Sequence, residues 1–185
     1  TRISVSTDGT EGNGRSTKPS ISDNGRYVAF HSSATNLVSG DTNGVRDVFV
    51  HDTQTGTTTR VSIHTNGTQG NDTSSFAEIS ANGQYVVFFA AATNLVNGDT
   101  NGTDDVFRHD IQSGETVRVS VATGGAEGNG LSQASDISAD GRYVVFESFA
   151  SNLIGGDTNG TSDIFLRDVQ AATTKRVLGW LRREA

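Results

Sequence analysis

The sequence has no cysteine and no methionine, and it contains a single proline. Without cysteine the chain can form no disulfide and has no thiolate for zinc binding or nucleophilic catalysis. No apolar run approaches the roughly 20 residues of a membrane-spanning helix, so no membrane span is predicted. Basic residues are also few, 14 against 21 acidic ones, giving a net charge of −7. This balance disfavours a nucleic-acid partner, because such partners are held mainly by basic side chains on phosphates.

What the chain has in excess are turn residues. Glycine accounts for 22 of 185 residues, and aspartate outnumbers glutamate by 15 to 6. Glycine and aspartate favour turns, whereas glutamate favours helices. The composition therefore predicts an all-β protein of many short strands joined by turns.

One unit of 58 residues is repeated three times. The copies cover residues 1–58, 59–116 and 117–174, and 26 of their 58 columns are identical in all three. A partial fourth copy covers residues 175–178, and residues 179–185 form a divergent tail. Each copy contains four short β-patterned runs, which is typical of one four-stranded β-propeller blade. We therefore predict one three-blade propeller segment over residues 1–178.

Two motifs in each copy carry a family resemblance. Residues 21–30 read Ile-Ser-Asp-Asn-Gly-Arg-Tyr-Val-Ala-Phe, and residues 47–56 read Asp-Val-Phe-Val-His-Asp-Thr-Gln-Thr-Gly. This pattern resembles the TolB-like, WD-like β-propeller repeat, with an Asp-x-Asn-Gly-x-x-Asp loop inserted in each blade. The resemblance implies a propeller that serves as a scaffold, a binding module or a gate. It does not imply one activity.

Three blades are too few for a closed propeller, which typically has 4–8. We therefore predict a homodimer whose two chains form a six-bladed ring. The expected blades cover about residues 16–64, 74–122 and 132–179. Residues 1–6 are then a spare outer strand, which we expect to pair with the third blade of the partner and to displace that chain's C-terminal segment.

The connections within the blades differ in length between the two faces. Tight turns are predicted on one face, and the long stretches 7–15 and 34–46 on the other. Long loops on a rigid scaffold usually carry binding functions. We expect this long-loop face to bind an unidentified protein or glycan.

The long loop between the second and third strands contains oxygen ligands at positions 1, 3 and 7, with a glycine at position 4. Such spacing is similar to the start of a calcium loop, in which alternating side chains converge on one cation. The alternative is an Asx turn followed by an aspartate that begins a strand. The predicted ligand sets for Ca²⁺ are Asp41, Asn43 and Asp47; Asp99, Asn101 and Asp105; and Asp157, Asn159 and Asp163.

Asp52 occupies position 12 of the first loop, where a complete EF-hand has its bidentate acid. Five strand residues separate it from Asp47, so it should lie at the opposite face. We expect it to pair diagonally with Arg60, and Asp110 to pair with Arg118 in the same way.

No catalytic residues are predicted, because no combination of unlike reactive groups stands out from the repeated columns. We expect a non-enzymatic binding module with calcium-stabilised loops, in an extracellular or periplasmic setting. Two alternatives remain open. One is a carbohydrate-binding propeller, and the other is a propeller hydrolase or lactonase with a site on the axis, where the inner-strand columns contain Lys18, Phe76, Glu78 and Asp136 among others.

Overall fold

The structure is a computed structural model, and it describes residues 1–177. This part of the chain is all-β, with twelve strands in three antiparallel four-stranded sheets. The first sheet contains β1 (Ser16–Ile21), β2 (Tyr27–Ser32), β3 (Asp47–Asp52) and β4 (Thr58–Arg60). The second contains β5 (Ser74–Ile79), β6 (Tyr85–Ala90), β7 (Asp105–Asp110) and β8 (Thr116–Arg118). The third contains β9 (Ser132–Ile137), β10 (Tyr143–Ser148), β11 (Asp163–Asp168) and β12 (Thr173–Arg176).

In each sheet the strands pair in chain order, so each sheet is a four-stranded meander. The first strand of every sheet has a register irregularity, which in β1 lies between Thr17 and Ser20. The first strands also contact one another from sheet to sheet, as β1 contacts β5. These strands are therefore the inner strands of three propeller blades, and the all-β prediction is confirmed. Among the described residues there is no helix that could cross a membrane.

Each blade is built around one stacked phenylalanine pair. In the first blade Phe30 of β2 lies 5.9 Å from Phe49 of β3, measured between ring centroids, and both side chains are buried. The other blades repeat this pair at closely similar distances. Leu37 of the long loop is also buried against it. Removing these apolar side chains from water is the main driving force for each blade.

Neighbouring blades pack through apolar faces and through a bonded segment that follows each outer strand. After β4, Ile63 and Thr65 lie against the second blade, where the Ile63 carbonyl accepts a 2.6 Å hydrogen bond from Thr116 Oγ1. Val5 makes the corresponding 2.5 Å bond with Thr58 Oγ1 of the first blade.

The expected spare strand over residues 1–6 is not formed in this chain. Val5 makes only an isolated bridge with Glu11. The segment has no third strand of its own blade to pair with. It contacts the first blade instead, where the Val5 carbonyl accepts from Thr58 Oγ1 of β4 and Ile3 packs against the core of that blade. The outer position of the third blade is occupied by β12 of the same chain. The predicted tail at 179–185 lies outside the described residues.

Candidate functional site

The long loops between the second and third strands lie at one end of the blades. In the first loop the turn depends on Gly40 and Gly44, whose positive φ values of 77° and 69° favour glycine. Between and after them the chain places Asp41, Asn43 and Asp47 around a common centre. Asn43 Oδ1 accepts the Val45 amide at 3.1 Å, which is the predicted Asx turn, while its Nδ2 donates to Asp47 Oδ2 at 3.0 Å. The structure therefore contains the predicted turn, while Asn43 presents its amide nitrogen, not its oxygen, to Asp47.

An arginine that the metal prediction did not include completes this cluster. Arg60 Nη1 lies 3.5 Å from Asp41 Oδ1 and 3.6 Å from Asp47 Oδ2. Ser62 Oγ donates to the other Asp47 oxygen at 2.6 Å. The side chains of both aspartates are almost wholly buried, yet neither Asp41 oxygen accepts a hydrogen bond from the described residues. A cation bound here would have to compete with the Arg60 guanidinium.

The second loop has an additional acid. Glu127, from the connection that precedes the third blade, forms an ion pair with Arg118. Its Oε2 accepts from Thr100 Oγ1 at 2.6 Å. Ligand atoms of Asp99, Asp105 and Glu127 all lie within 4.8 Å of one another. Three carboxylates thus face one guanidinium. Glu127 was missed because it lies in another copy of the repeat, although its column contains Glu11 and Gln69 and was visible in the sequence.

The third loop is the least complete. Asp157 and Asp163 face Arg176, with 3.3 Å and 3.2 Å between the closest atoms, and Asn159 donates to Asp163 at 2.8 Å. The column of Ser62 and Ser120 falls at residue 178 in this copy, outside the described part. Asp163 is accordingly more accessible than its two counterparts.

Burial acts on the pKa of the acids in the first two loops. It raises the pKa of Asp41 and of Asp47 despite the nearby Arg60. In the second loop, burial followed by repulsion from Asp105 raises the pKa of Asp99 to about 6. Burial also acts to raise the pKa of Glu127, but hydrogen bonds from Thr100 and Arg118 outweigh it and lower the value to about 2.

The predicted partner of Asp52 is wrong. Asp52 lies at the other end of β3 from Asp47, as expected, but its partner is Arg26, at 2.7 Å between Arg26 Nη2 and Asp52 Oδ2. Arg60 extends instead to the long-loop end. The second blade follows the same rule, because Asp110 accepts from Gln84 while Arg118 binds the loop acids. Arg60 extends to the long-loop end because, among residues 1–177, no other positive charge pairs with the two buried carboxylates there.

Three histidines are engaged in structural hydrogen bonds. His51 Nδ1 and His109 Nδ1 each lie 2.9 Å from a threonine hydroxyl of the outer strand. His31 uses both ring nitrogens, since Nδ1 accepts the Phe76 amide at 2.9 Å and Nε2 lies 2.6 Å from Thr17 Oγ1. These rings hold strands together.

Solved structures with a similar fold are propellers. The chain is similar to TolB from Acinetobacter baumannii, with a TM-score of 0.54 and 17% identity over 90% of this chain and 33% of that one. A putative TolB from Agrobacterium tumefaciens gives a TM-score of 0.57 and 16% identity over 89% and 49% of the two chains. The fold is that of a TolB-like β-propeller. The β-propeller domain of the Trilobed protease from Pyrococcus furiosus is also similar, with a TM-score of 0.54 and 10% identity over 90% and 44%.

The TolB-like propeller spans between a third and a half of the length of these three chains. No protein-family model matches the sequence, and no curated protein matches it significantly. At these identities the likeness shows the fold alone. It fits both non-enzymes and propeller domains of hydrolases.

The two outer flanks of this TolB-like propeller segment expose apolar residues that its internal junctions bury. On the third blade Ile164 is 47% exposed and Val177 is 49% exposed, whereas their counterparts Val48 and Val61 are both 0% exposed. On the first blade Ile21 is 60% exposed, but its counterpart Ile79 is only 7% exposed, because it packs against the preceding blade.

Proposed function

We propose that this chain is a non-catalytic binding scaffold and that two copies of it form a six-bladed propeller. The exposed flanks carry the proposal. Ile164 and Val177 on the third blade occupy the positions that Val48 and Val61 occupy at the junction of the first two blades. At that junction the second blade covers Val48 and Val61, and its Ile79 lies in the same cluster. Ile21 has the position in the first blade that Ile79 has in the second. The two flanks therefore repeat the two surfaces that already pack against each other at the junction of the first and second blades.

A second copy satisfies both flanks at once. If the third blade of each chain packs on the first blade of the other, two equivalent junctions form around a two-fold axis and the ring has no open flank. Each new junction repeats one that the chain already contains. Burying these side chains would also remove an apolar patch of the kind that marks association sites.

Sedimentation velocity over a concentration series tests the assembly, with Ile164→Lys as the disrupting variant. Gln112→Lys is the matched control, because Gln112 is exposed in the turn between β7 and β8 of the second blade, which lies between the other two blades and has no outer flank. We expect a dimer for the original chain and for Gln112→Lys, and a monomer for Ile164→Lys. A monomer of about 19 kDa at micromolar concentration for the original chain would reject the six-bladed dimer.

We also propose calcium binding at the long loops, with the second loop as the strongest site. Three carboxylates face a single guanidinium there, and Asp99 Oδ1 is buried without a hydrogen-bond partner among the described residues. Calcium prefers such carboxylate oxygens. The first and third loops offer two carboxylates to one arginine, so their affinity should be lower. Weak sites suit an extracellular or periplasmic setting, where modules bind calcium at about 10⁻⁴–10⁻³ M.

Thermal unfolding of chelator-treated protein, with and without excess calcium, tests this proposal. Calcium binding to the native state should raise the melting temperature, and at 100 times Kd each site stabilises by about 2.7 kcal/mol. Asp105→Ala should weaken binding, whereas Asp110→Ala, at the other end of β7, should not. Glu127→Gln gives a milder variant, because the second repeat already has Gln69 in that column. A melting temperature that calcium leaves unchanged contradicts the proposal.

The long-loop face is the proposed surface for a partner. A non-catalytic role is supported by the histidines, whose ring nitrogens bond to strand hydroxyls and to a backbone amide. A hydrolase panel with added calcium should therefore show no turnover. Turnover that disappears when the inner-strand acids Glu78 and Asp136 are replaced would favour a propeller hydrolase instead.

Carbohydrate binding is the second candidate function, and the exposure of Phe149 favours it. An exposed aromatic ring at the mouth of a loop is a suitable surface for a sugar. A glycan array with the original chain and Phe149→Ala distinguishes the two functions. Binding that depends on Phe149 would identify a lectin, and its absence would leave the protein-binding scaffold.

A further inference from the structure

A basic cavity lies between the first two blades, at the long-loop end of their inner strands. It has a volume of about 240 Å³, and its lining includes Arg15, Lys18, Arg46, His31 and Phe76. Arg15 immediately precedes β1, and Arg46 immediately precedes β3. The register irregularity of β1 carries Lys18, with a φ of 53°, to the same place. A β-bulge commonly redirects a side chain in this way.

Three cations meet here in a chain with a net charge of −7. Within residues 1–177, no carboxylate forms an ion pair with Arg15, Lys18 or Arg46. Arg46 donates to Ser75 Oγ at 3.0 Å, and Lys18 Nζ lies 5.1 Å from the centre of the Phe76 ring. Both contacts orient the side chains and neutralise no charge, so the cavity keeps an uncompensated positive potential.

His31 lines the cavity, and its imidazole is neutral. It therefore has no proton to lose that would reduce the positive potential of the cavity. His31 Nδ1 accepts the Phe76 amide hydrogen, so its proton is on Nε2 and donates to Thr17 Oγ1. Burial, followed by repulsion from Arg46, Lys18 and Arg15, lowers the pKa of His31 to about 4. Arg15, Lys18 and Arg46 are exposed, so water solvates them and an anion from outside can reach all three.

The corresponding junction between the second and third blades has lost these features. Thr73, Phe76 and Asp104 stand where the first repeat has Arg15, Lys18 and Arg46, and Phe89 stands in the column of His31. Asp104 is bonded there to Gln133. Columns that serve only the blade fold are mostly shared by all three copies, whereas these columns differ. The basic set is therefore not needed to form a blade junction.

We propose that this cavity binds a small oxyanion, the carboxylate or phosphate group of a ligand, between Arg15, Lys18 and Arg46. Guanidinium groups match both kinds of group with paired hydrogen bonds. The volume is below the 300–1,000 Å³ of sites for drug-sized ligands, so a single charged group fits rather than a large organic ligand. Phe76 stacks on Phe89 at 5.3 Å on one side and has Lys18 over its ring, so it supports the cavity instead of offering a free stacking surface.

Isothermal titration calorimetry at constant ionic strength tests the site, with inorganic phosphate in one series and malonate in the other. We expect one saturable site per chain for at least one probe, and the tighter probe tells phosphate from carboxylate. Arg46→Ser and Arg15→Thr should each weaken binding at least tenfold. Both changes introduce residues that other repeats have in the same columns, Ser162 and Thr73, so the fold should tolerate them.

The matched control is Lys175→Thr, which removes one exposed positive charge from β12 and introduces the residue that the outer strand of the first blade has at this position, Thr59. It should change the affinity less than twofold. The proposal is overturned if neither probe saturates, or if Lys175→Thr weakens binding as much as Arg46→Ser. Melting temperatures of all variants, measured in parallel, identify any loss caused by unfolding. If Arg46→Ser unfolds, the affinities of Arg15→Thr and Lys18→Gln for the two probes test the proposal in its place.

Discussion

The two ends of a blade use the same pair of residue types, arginine and aspartate, in opposite ways. At the tight-turn end Arg26 makes a bidentate contact with a partly exposed Asp52, and its hydrogen bonds lower the pKa of that aspartate. At the long-loop end Arg60 faces Asp41 and Asp47, and burial raises the pKa of both. Burial and the number of donors, rather than the presence of an arginine, therefore decide which form of the acid is favoured.

The same comparison explains where stability should depend on charge. A buried pair is costly to break, because the remaining partner keeps its desolvation cost. An exposed pair contributes little, since water replaces the lost contact. Substitutions at the two ends of one blade should therefore have unequal effects.

The largest expected effect is that of Asp47→Ala. It leaves Arg60, Ser62 Oγ and Asn43 Nδ2 without the acceptor that they share. We expect a loss of about 3 kcal/mol in the free energy of unfolding, as is usual for breaking a buried ion pair. Urea denaturation measures it. Asp47→Asn, which keeps one acceptor oxygen, should lose less, and an equal loss for both variants would show that charge alone is responsible.

A smaller effect is expected at His109, where burial lowers the pKa to about 4. The unfolded side chain titrates near pH 6.5. The native state therefore binds fewer protons than the unfolded state between these values, and stability falls as the pH decreases from about 6.5 to 4. At pH 5 this side chain should cost about 2 kcal/mol relative to pH 7.

His109→Gln tests this prediction, because glutamine can still donate to Thr116 but does not titrate. Denaturation midpoints at pH 7 and pH 5 should differ less in the variant than in the original chain. His51→Gln, at the equivalent position of the first blade where burial also lowers the pKa, should reduce the difference in the same direction. If the pH dependence of His109→Gln equals that of the original chain, burial does not control this group.

The blades could be predicted from sequence because the repeat shows its strands three times. Tyr27 to Phe30 and Asp47 to Asp52 have β-formers and turn signals at the same offsets in each copy, so local pattern and period agree. The calcium sites predicted at the long loops stay predictions. The arginine that faces their acids was not predicted, because Arg60 lies 13 residues after Asp47. Sequence spacing could not tell which end of the blade a long side chain would reach.

The cavity between the first two blades depends on residues that differ among the three copies. These residues are not part of the repeated pattern from which the blades are predicted. Lys18 was noticed as an inner-strand residue, but Arg15 and Arg46 lie in connections where little structure could be predicted. Only the packing of two blades brings the three together. Residues that break a repeat therefore deserve separate inspection.

The smallest effect is expected for Arg26→Gln at the tight-turn end. The second blade already has Gln84 in this column, and Gln84 Nε2 still donates to Asp110 at 3.2 Å. The variant should keep a hydrogen bond to Asp52 and lose only an exposed ion pair, whose attraction salt screens. We expect melting temperatures close to those of the original chain, measured at low and at high salt, with any difference smaller at high salt. A loss as large as that of Asp47→Ala would mean that accessible and buried arginine–aspartate pairs contribute equally, and the contrast between the two ends of the blade would then have another cause.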